Sequence, residues 1–394
     1  MINLEETRPV WAEINLDNLA HNIKEVRKNT REDAKVTAVV KANGYGHGST
    51  DIAKTFLENG ADRLAVAILT EAIELRKAGI KAPILVLGYT PNTQFDKVLQ
   101  YDLIQTVYSY EDAKILSKTA SDMDKEAVIH IKIDTGMSRI GFLPNEDAVE
   151  KILEINKLEN INIEGMYTHF AKADETDKGH AKGQFEKYIK VSDSLKEKGL
   201  DIKIKHVSNS AAIIDLEDYN LDMVRAGIMI YGFYPSDEVS KENIKLKPAM
   251  NLKARVSHVK TVPKGTGISY GQIFKTERES KIATLPIGYA DGFTRLLTGK
   301  AEVYVNGKRV KVVGKICMDQ CMIDVTEIED IQVGDEVVIF GYGNEGYPSA
   351  EELAEKIGTI NYEIVCMVGR RIPRVYTSQG NIVKVRDYLL DDIR

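Results

Sequence analysis

Three cysteines in 394 residues are too few, and odd in number, for a disulfide framework. Cys317, Cys321 and Cys366 therefore read as thiols of a reduced protein. The pair in Cys317-Met-Asp-Gln-Cys321 has no second pair at zinc spacing, so no metal site is expected. Positive charge is not in excess either: 53 Lys and Arg against 59 Asp and Glu leave a formal net charge of -6. Nothing in that balance draws the chain to nucleic acid or to an anionic membrane. The opening Met-Ile-Asn-Leu-Glu-Glu-Thr-Arg carries two acidic residues and no long apolar run, unlike a signal peptide, and the expected setting is the cytoplasm. No fixed-period repeat, low-complexity tract or long linker is visible. What is there is 43% hydrophobic and 28% charged residue, enough to bury a core and solvate a surface. At roughly 100–200 residues per domain, this length predicts two domains.

After residue 35, short β-branched runs alternate with longer amphipathic stretches, the pattern of βα units around a parallel sheet. Strands are expected at Val36–Val40, Arg63–Ala67, Ile84–Leu87, Ile104–Val107, Val128–Ile133, Ile163–Tyr167, Ile202–His206 and Met223–Ala226. Helices such as Ser49–Glu58, Thr70–Ala78 and Gln184–Lys198 fall between them. Eight such strands suit a (β/α)8 barrel of TIM type. From about Lys247 the texture changes to Val-rich alternation with glycine turns, and Asn306-Gly307 is a hairpin signal. The expected fold class is α/β, a barrel over residues 17–245 followed by a mostly-β domain over 246–394. Val10-Trp-Ala-Glu-Ile-Asn-Leu alternates like a strand, so residues 1–16 are assigned to the β domain as well. Asp17 is expected to cap the helix Asn18–Arg27.

Barrel enzymes place their reactive groups where strands end at the C-terminal face. The first strand ends in Val39-Val40-Lys41-Ala42-Asn43-Gly44-Tyr45-Gly46-His47-Gly48, a lysine followed by three glycines in five residues. Buried amines lose their charge readily and form imines, which favours a Schiff-base role for Lys41 over a snorkelling surface lysine.

That segment strongly resembles the pyridoxal-phosphate lysine motif of the bacterial alanine racemase family. Further matches run in order through the chain: Asp134-Thr-Gly-Met-Ser-Arg139, Tyr167-Thr-His169-Phe, His206-Val-Ser-Asn209-Ser210, Val224-Arg225-Ala-Gly227-Ile228, Gly267-Ile-Ser-Tyr270-Gly, Gly288-Tyr289, Cys317-Met318-Asp319 and Asn361-Tyr362-Glu363. The resemblance spans essentially the whole chain. It implies pyridoxal 5'-phosphate as cofactor, held by Lys41, Tyr45, Arg139, His169, Asn209, Ser210, Arg225, Gly227, Ile228 and Tyr362.

The resemblance further implies that Lys41 and Tyr270 are the two catalytic acid/bases, one on each face of the α-carbon of a substrate held as a pyridoxal-phosphate aldimine. Tyr270 is expected from the β domain of a neighbouring subunit, hence a homodimer, with His169 and Arg225 behind it. Arg225 is expected at the pyridine nitrogen; arginine only donates, so that nitrogen stays unprotonated and transamination is disfavoured. Arg139, Met318 and Tyr289 are expected to bind the amino acid, and Lys132 matches a lysine carbamylated in some relatives. The implied activity is interconversion of L- and D-alanine, an isomerase feeding cell-wall synthesis. A racemase of broader specificity, acting on serine and other small amino acids, is the alternative. A decarboxylase on a related scaffold would carry a carboxylate in place of Arg225, and a non-catalytic pyridoxal-phosphate carrier would lack the β domain.

Overall fold

The computed structural model describes residues 7–391. Residues 1–6, which open the stretch read against a signal peptide, and residues 392–394 lie outside the described residues. The β-branched runs form eight parallel strands: Lys35–Val39, Arg63–Val66, Ile84–Val86, Ile104–Val107, Ala127–Lys132, Ile161–Tyr167, Ile204–His206 and Met223–Ala226. Every boundary lies within two residues of the expected one. Neighbours in the sheet follow chain order, except that Met223–Ala226 pairs in parallel with Lys35–Val39. The last seam carries two backbone bonds of 3.0 Å, from Asp222 N–H to the Lys205 carbonyl and from Arg225 N–H to the Ser208 carbonyl. The sheet thereby closes into the TIM-type barrel, the solution that leaves no edge.

Helix Ser49–Glu58 buries Ile52, Ala53 and Phe56, the i, i+1, i+4 stripe of an amphipathic segment. Helix Gly179–Glu197 begins five residues before the expected Gln184; two glycines in its first turns depress local helix propensity and hide the start. The expected cap of the first helix is corrected. The helix is Leu16–Lys28, and Asn15 Oδ1 accepts the Asn18 N–H at 2.9 Å. The Asp17 carboxylate instead accepts from Ser378 Oγ at 2.8 Å and the Gln379 N–H at 2.6 Å.

The chain divides into two compact units. One comprises Leu19–Gly44 and Ser49–Lys247 and contains the barrel. The other comprises the chain up to Asn18, the four residues Tyr45–Gly48, and the chain from Pro248 onward. Its main sheet runs in the order His258–Val262, Ser280–Leu285, Cys321–Asp324, Lys308–Val313, Glu302–Val305, Glu336–Phe340, Met250–Arg255, Val10–Asn15, Arg374–Ser378, Asn381–Arg386. Val10–Asn15 thus sits inside the β sheet, antiparallel to Met250–Arg255 and parallel to Arg374–Ser378. Asn306 and Gly307 both have positive φ, 44° and 84°, and join Val305 to Lys308 as the two-residue hairpin expected of Asn-Gly. Among the described residues, no helix is long and apolar enough to cross a membrane.

Candidate active site

Lys41 follows the barrel strand Lys35–Val39 and opens a turn of uncommon hand. Ala42, Asn43, Gly44 and Tyr45 have φ of 52°, 53°, 61° and 49°. A left-handed turn costs an L-residue roughly 1–2 kcal/mol, so a run of four with three non-glycine residues needs external support. The Glu71 carboxylate supplies part of it, accepting the Ala42 N–H at 2.6 Å and the Ala67 N–H at 2.9 Å. Asn43 Oδ1 accepts the Ser49 N–H at 3.1 Å, and the Gly44 N–H returns to the Val40 carbonyl at 2.9 Å. Such strain beside a lysine at a strand end is the mark of a constrained functional site.

Arg225, in the strand Met223–Ala226, is buried and forms no ion pair with a carboxylate among the described residues. Its Nη2 donates to the Thr168 carbonyl at 2.8 Å, the Val207 carbonyl at 3.0 Å and His169 Nδ1 at 3.3 Å. Its Nη1 donates to His206 Nδ1 at 2.9 Å and to the His206 carbonyl at 3.2 Å. Burial lowers the guanidinium pKa to about 10, so it remains a cation at neutral pH. Both terminal nitrogens are thereby anchored, and Nε–H, bonded to no described residue, is left to donate. Burial first, then the charges of Arg225, Arg139, Lys132 and Lys41, push the His169 imidazole well below its usual pKa. Neutral His169, accepting at Nδ1, carries its proton on Nε2.

At the next two strand ends, Ser210 Oγ accepts the Gly227 N–H at 3.0 Å and keeps its own proton to donate. Ile228 begins a 3-10 turn after Gly227, so its N–H has no acceptor in that turn. Asn209 caps the helix Ser210–Asp215, with Oδ1 accepting the Ala212 N–H at 3.1 Å. The Asp134 carboxylate shapes the loop toward Arg139, accepting N–H groups from Gly136, Ser138 and Arg139 at 2.9–3.1 Å. The Arg139 guanidinium itself binds no described residue. Lys132 is buried, donates to the Ile133 carbonyl at 2.7 Å, and lies 5.5 Å from the Tyr167 ring centroid. Burial and the nearby Arg225 charge bring its amine down to about 7.

The second unit holds the other expected residues. Tyr45 and Tyr362 set their rings 6.2 Å apart, tilted by 52°. Tyr270 and Met318 line a surface cleft of about 830 Å³, and the Tyr289 N–H bonds the Cys317 carbonyl at 3.1 Å, beside Met318. Ser269, immediately before Tyr270, has φ 63° and ψ -173°, a conformation otherwise reserved for glycine. Its Oγ donates to the Lys315 carbonyl at 2.6 Å, which helps hold it there.

Residues 14–235 match the family model of the alanine racemase N-terminal domain, and residues 249–376 that of the C-terminal domain. The chain belongs to the alanine racemase family. The alanine racemase of Clostridium tetani is 54% identical over 383 residues, covering 97% of this chain and 99% of that one. That of Methanococcus maripaludis is 56% identical over 370 residues, covering 94% and 99%. A solved alanine racemase of Clostridium difficile superposes with a TM-score of 0.94 at 49% identity, covering 97% and 99%.

Several residues around this candidate site escape sequence reasoning. Glu71 acts from the next βα unit, and Asp134 appears only as the first letter of a motif. His130 and Arg63 are buried on barrel strands with Glu164 half-buried beside them, at positions where short β-prone runs suggest apolar side chains. The one local signal is the Glu164-Gly165 step inside an otherwise β-prone run, since glycine within a strand marks a bulge or a close approach.

Proposed function

We propose that this protein interconverts L- and D-alanine with pyridoxal 5'-phosphate, as a homodimer. The observation that carries the reading is Arg225, a buried cation fixed by carbonyls and imidazoles with its Nε–H left to donate. The donor set suits the cofactor: a strand-end lysine, an arginine for a ring nitrogen, and the Ser210 hydroxyl with the Gly227–Ile228 backbone for a phosphate. Tyr45 and Tyr362 would add hydroxyls to that phosphate, and Asn209 would keep the Ser210 helix in register with it. When bound, pyridoxal phosphate supplies the electron-withdrawing ring system that acidifies the amino acid's Cα–H.

The chain's own residues then do the rest. Arg225 would donate to the ring nitrogen of the bound cofactor and so keep it unprotonated, which would favour return of the proton to Cα over transamination. Lys41 exchanges a proton with Cα on one face, and the partner subunit's Tyr270 does so on the other. Two bases are needed because one base returns the proton to the side it left. Neutral His169, with its proton on Nε2, supports the tyrosine by a hydrogen bond and is itself held by Arg225. Arg139, its fork unengaged, grips the substrate carboxylate bidentately, assisted by the Met318 N–H and the Tyr289 hydroxyl. Lys132, with an amine at about 7, has a sizeable neutral fraction able to take up carbon dioxide as a carbamate facing Arg139. On this reading residues 17–245, with Tyr362, bind the cofactor, while 246–394 with the N-terminal strand supply Tyr270 to the partner's site. The reduced cysteines fit work in the cytoplasm.

Incubation with L-alanine in deuterated water tests the proposal. D-alanine carrying deuterium at Cα is the expected product. Release of carbon dioxide and an amine, or no exchange at Cα, would refute it.

A further inference from the structure

Behind Arg225 runs a chain of side chains that the reaction as described above does not use. His206 Nδ1 accepts from Arg225 Nη1 at 2.9 Å. His206 Nε2 lies 2.9 Å from His130 Nδ1, and His130 Nε2 lies 2.9 Å from Glu164 Oε2. Glu164 also pairs with Arg63, Nη1 to Oε2 at 2.8 Å. Both histidines are fully buried, and Arg63 and Arg225 nearly so. Arg63 opens its strand and His206 closes its own, so the chain climbs from the N-terminal end of the barrel to the face that Lys41 leaves.

The direction of every hydrogen bond follows from the two ends. Arginine can only donate, so His206 Nδ1 is bare and its proton is on Nε2. An ionised carboxylate can only accept, so His130 must carry its proton on Nε2 and accept at Nδ1. The middle link then needs a donor on His206 Nε2 and an acceptor on His130 Nδ1. Both ends have already set that. A second proton on either ring would put two donors face to face, so both imidazoles must be neutral. Their burial agrees, pushing His206 well below its usual pKa and His130 down as well. Partial burial raises the Glu164 carboxyl, but the His130 and Arg63 donors outweigh it and hold it at about 2, ionised at any working pH.

The backbone is built around this chain. Ile129 pairs with Ile163 but His130 pairs with Gly165, so Glu164 is the extra residue of a β-bulge. Bulges re-aim a side chain at the expense of regular pairing. A Cβ on Gly165 would come within 2.5–2.7 Å of the His130 ring, so glycine there is what leaves room for the imidazole. The His206 ring is stacked on Tyr167, with centroids 4.7 Å apart at 13°, and Arg225 lies over the same ring at 5.1 Å.

We infer that Glu164 and Arg63, acting through His130 and His206, are positioning residues for Arg225. They lock both imidazoles in the Nε2–H tautomer, so that Arg225 is held with its Nε–H free for the cofactor's ring nitrogen. The carboxylate that the Arg225 cation lacks at contact distance is supplied at the far end of a polarised chain, and such chains strengthen each member. The inference rests on the proposed function for its consequence, but not for its geometry.

Nitrogen-15 NMR of histidine-labelled holoenzyme tests the lock directly. In the wild type, His130 and His206 should each show a protonated Nε2 and a bare Nδ1. A proton on Nδ1 of either ring, or a doubly protonated ring, overturns the inference without any variant. Glu164→Gln removes the fixed acceptor and His130→Phe cuts the chain, and in both the His206 pattern should become mixed. Both should also raise pyruvate release per racemisation, as alanine's amino group ends on the cofactor and its carbon skeleton leaves. Losing a charge-assisted bond should move that partition roughly tenfold. Variants that fold and keep both the wild-type His206 pattern and the wild-type partition would show that the chain only fills space. A wild type that makes no D-alanine would sink the proposed function and leave the NMR result to decide the lock.

Discussion

The barrel and the β unit present their candidate residues in opposite physical states. In the barrel, His206 and Arg225 are 0% and 3% exposed, and both terminal nitrogens of Arg225 have acceptors. In the β unit, Tyr270 is 69% exposed, Met318 53% and Tyr289 41%. Large apolar side chains gathered at a surface mark an interaction face. Both units store backbone strain next to the residue expected to react, at Ala42–Tyr45 in one stretch and at Ser269 in the other. The difference teaches that the barrel residues are held by their own fold, whereas the exposed residues of the β unit are those that the proposed homodimer would cover.

The largest expected effect breaks that comparison outright. Lys41→Ala and Tyr270→Phe should each lower racemisation by roughly 10³-fold or more, as loss of a positioned acid/base does. Borohydride trapping and peptide mapping should find the cofactor on Lys41 in the wild type. Mixing the two inactive chains should restore roughly a quarter of the sites, because half the dimers are mixed and each mixed dimer has one site with both bases. No recovery after verified subunit exchange would mean that one chain supplies both residues.

A smaller effect concerns substrate size. Tyr362→Ala should raise serine turnover relative to alanine by roughly tenfold, within the usual 1–3 kcal/mol of pocket discrimination. It should also loosen cofactor retention, measurable by dialysis, through the lost hydroxyl. An unmodified enzyme preferring leucine or lysine would contradict a pocket bounded by Tyr362 and Tyr270.

Lys132 sharpens the account of the buried half. Because burial lowers its pKa from 10.5 to about 7, the unfolded chain binds more protons than the folded one across that range. Stability therefore rises with pH between those values, by at most about 1.4 kcal/mol per pH unit. Lys132→Met should flatten that rise in thermal melts taken at successive pH. With carbon-13-labelled bicarbonate, a carbamate resonance present in the wild type should vanish in the same variant.

The smallest effect tests the strain. Ala42→Gly relieves about 1 kcal/mol of left-handed backbone but adds freedom to the unfolded chain, so the melting temperature should rise by no more than a few degrees. Turnover should fall at the same time if the strain holds Lys41 in place. An unchanged turnover with a raised melting temperature would make the turn an ornament of the fold.

Sequence by itself determined what depends on neighbours along the chain. The eight barrel strands are legible because each is a short apolar run bounded by turn residues, and the Asn306-Gly307 hairpin because positive φ at both positions is a local demand. Lys41, Arg225 and Tyr270 are legible through motif order. Tertiary structure decided what depends on closure. Asp17 reads as a cap, yet its carboxylate binds Ser378 and Gln379, more than 300 residues away, and Asn15 takes the cap. The barrel interior reads as apolar, yet one bulged position at Glu164 and a missing Cβ at Gly165 admit a polar chain through it. A bulge shifts register only against a partner strand, and a histidine's tautomer is set only by what stands at each nitrogen. Neither exists until the sheet has closed.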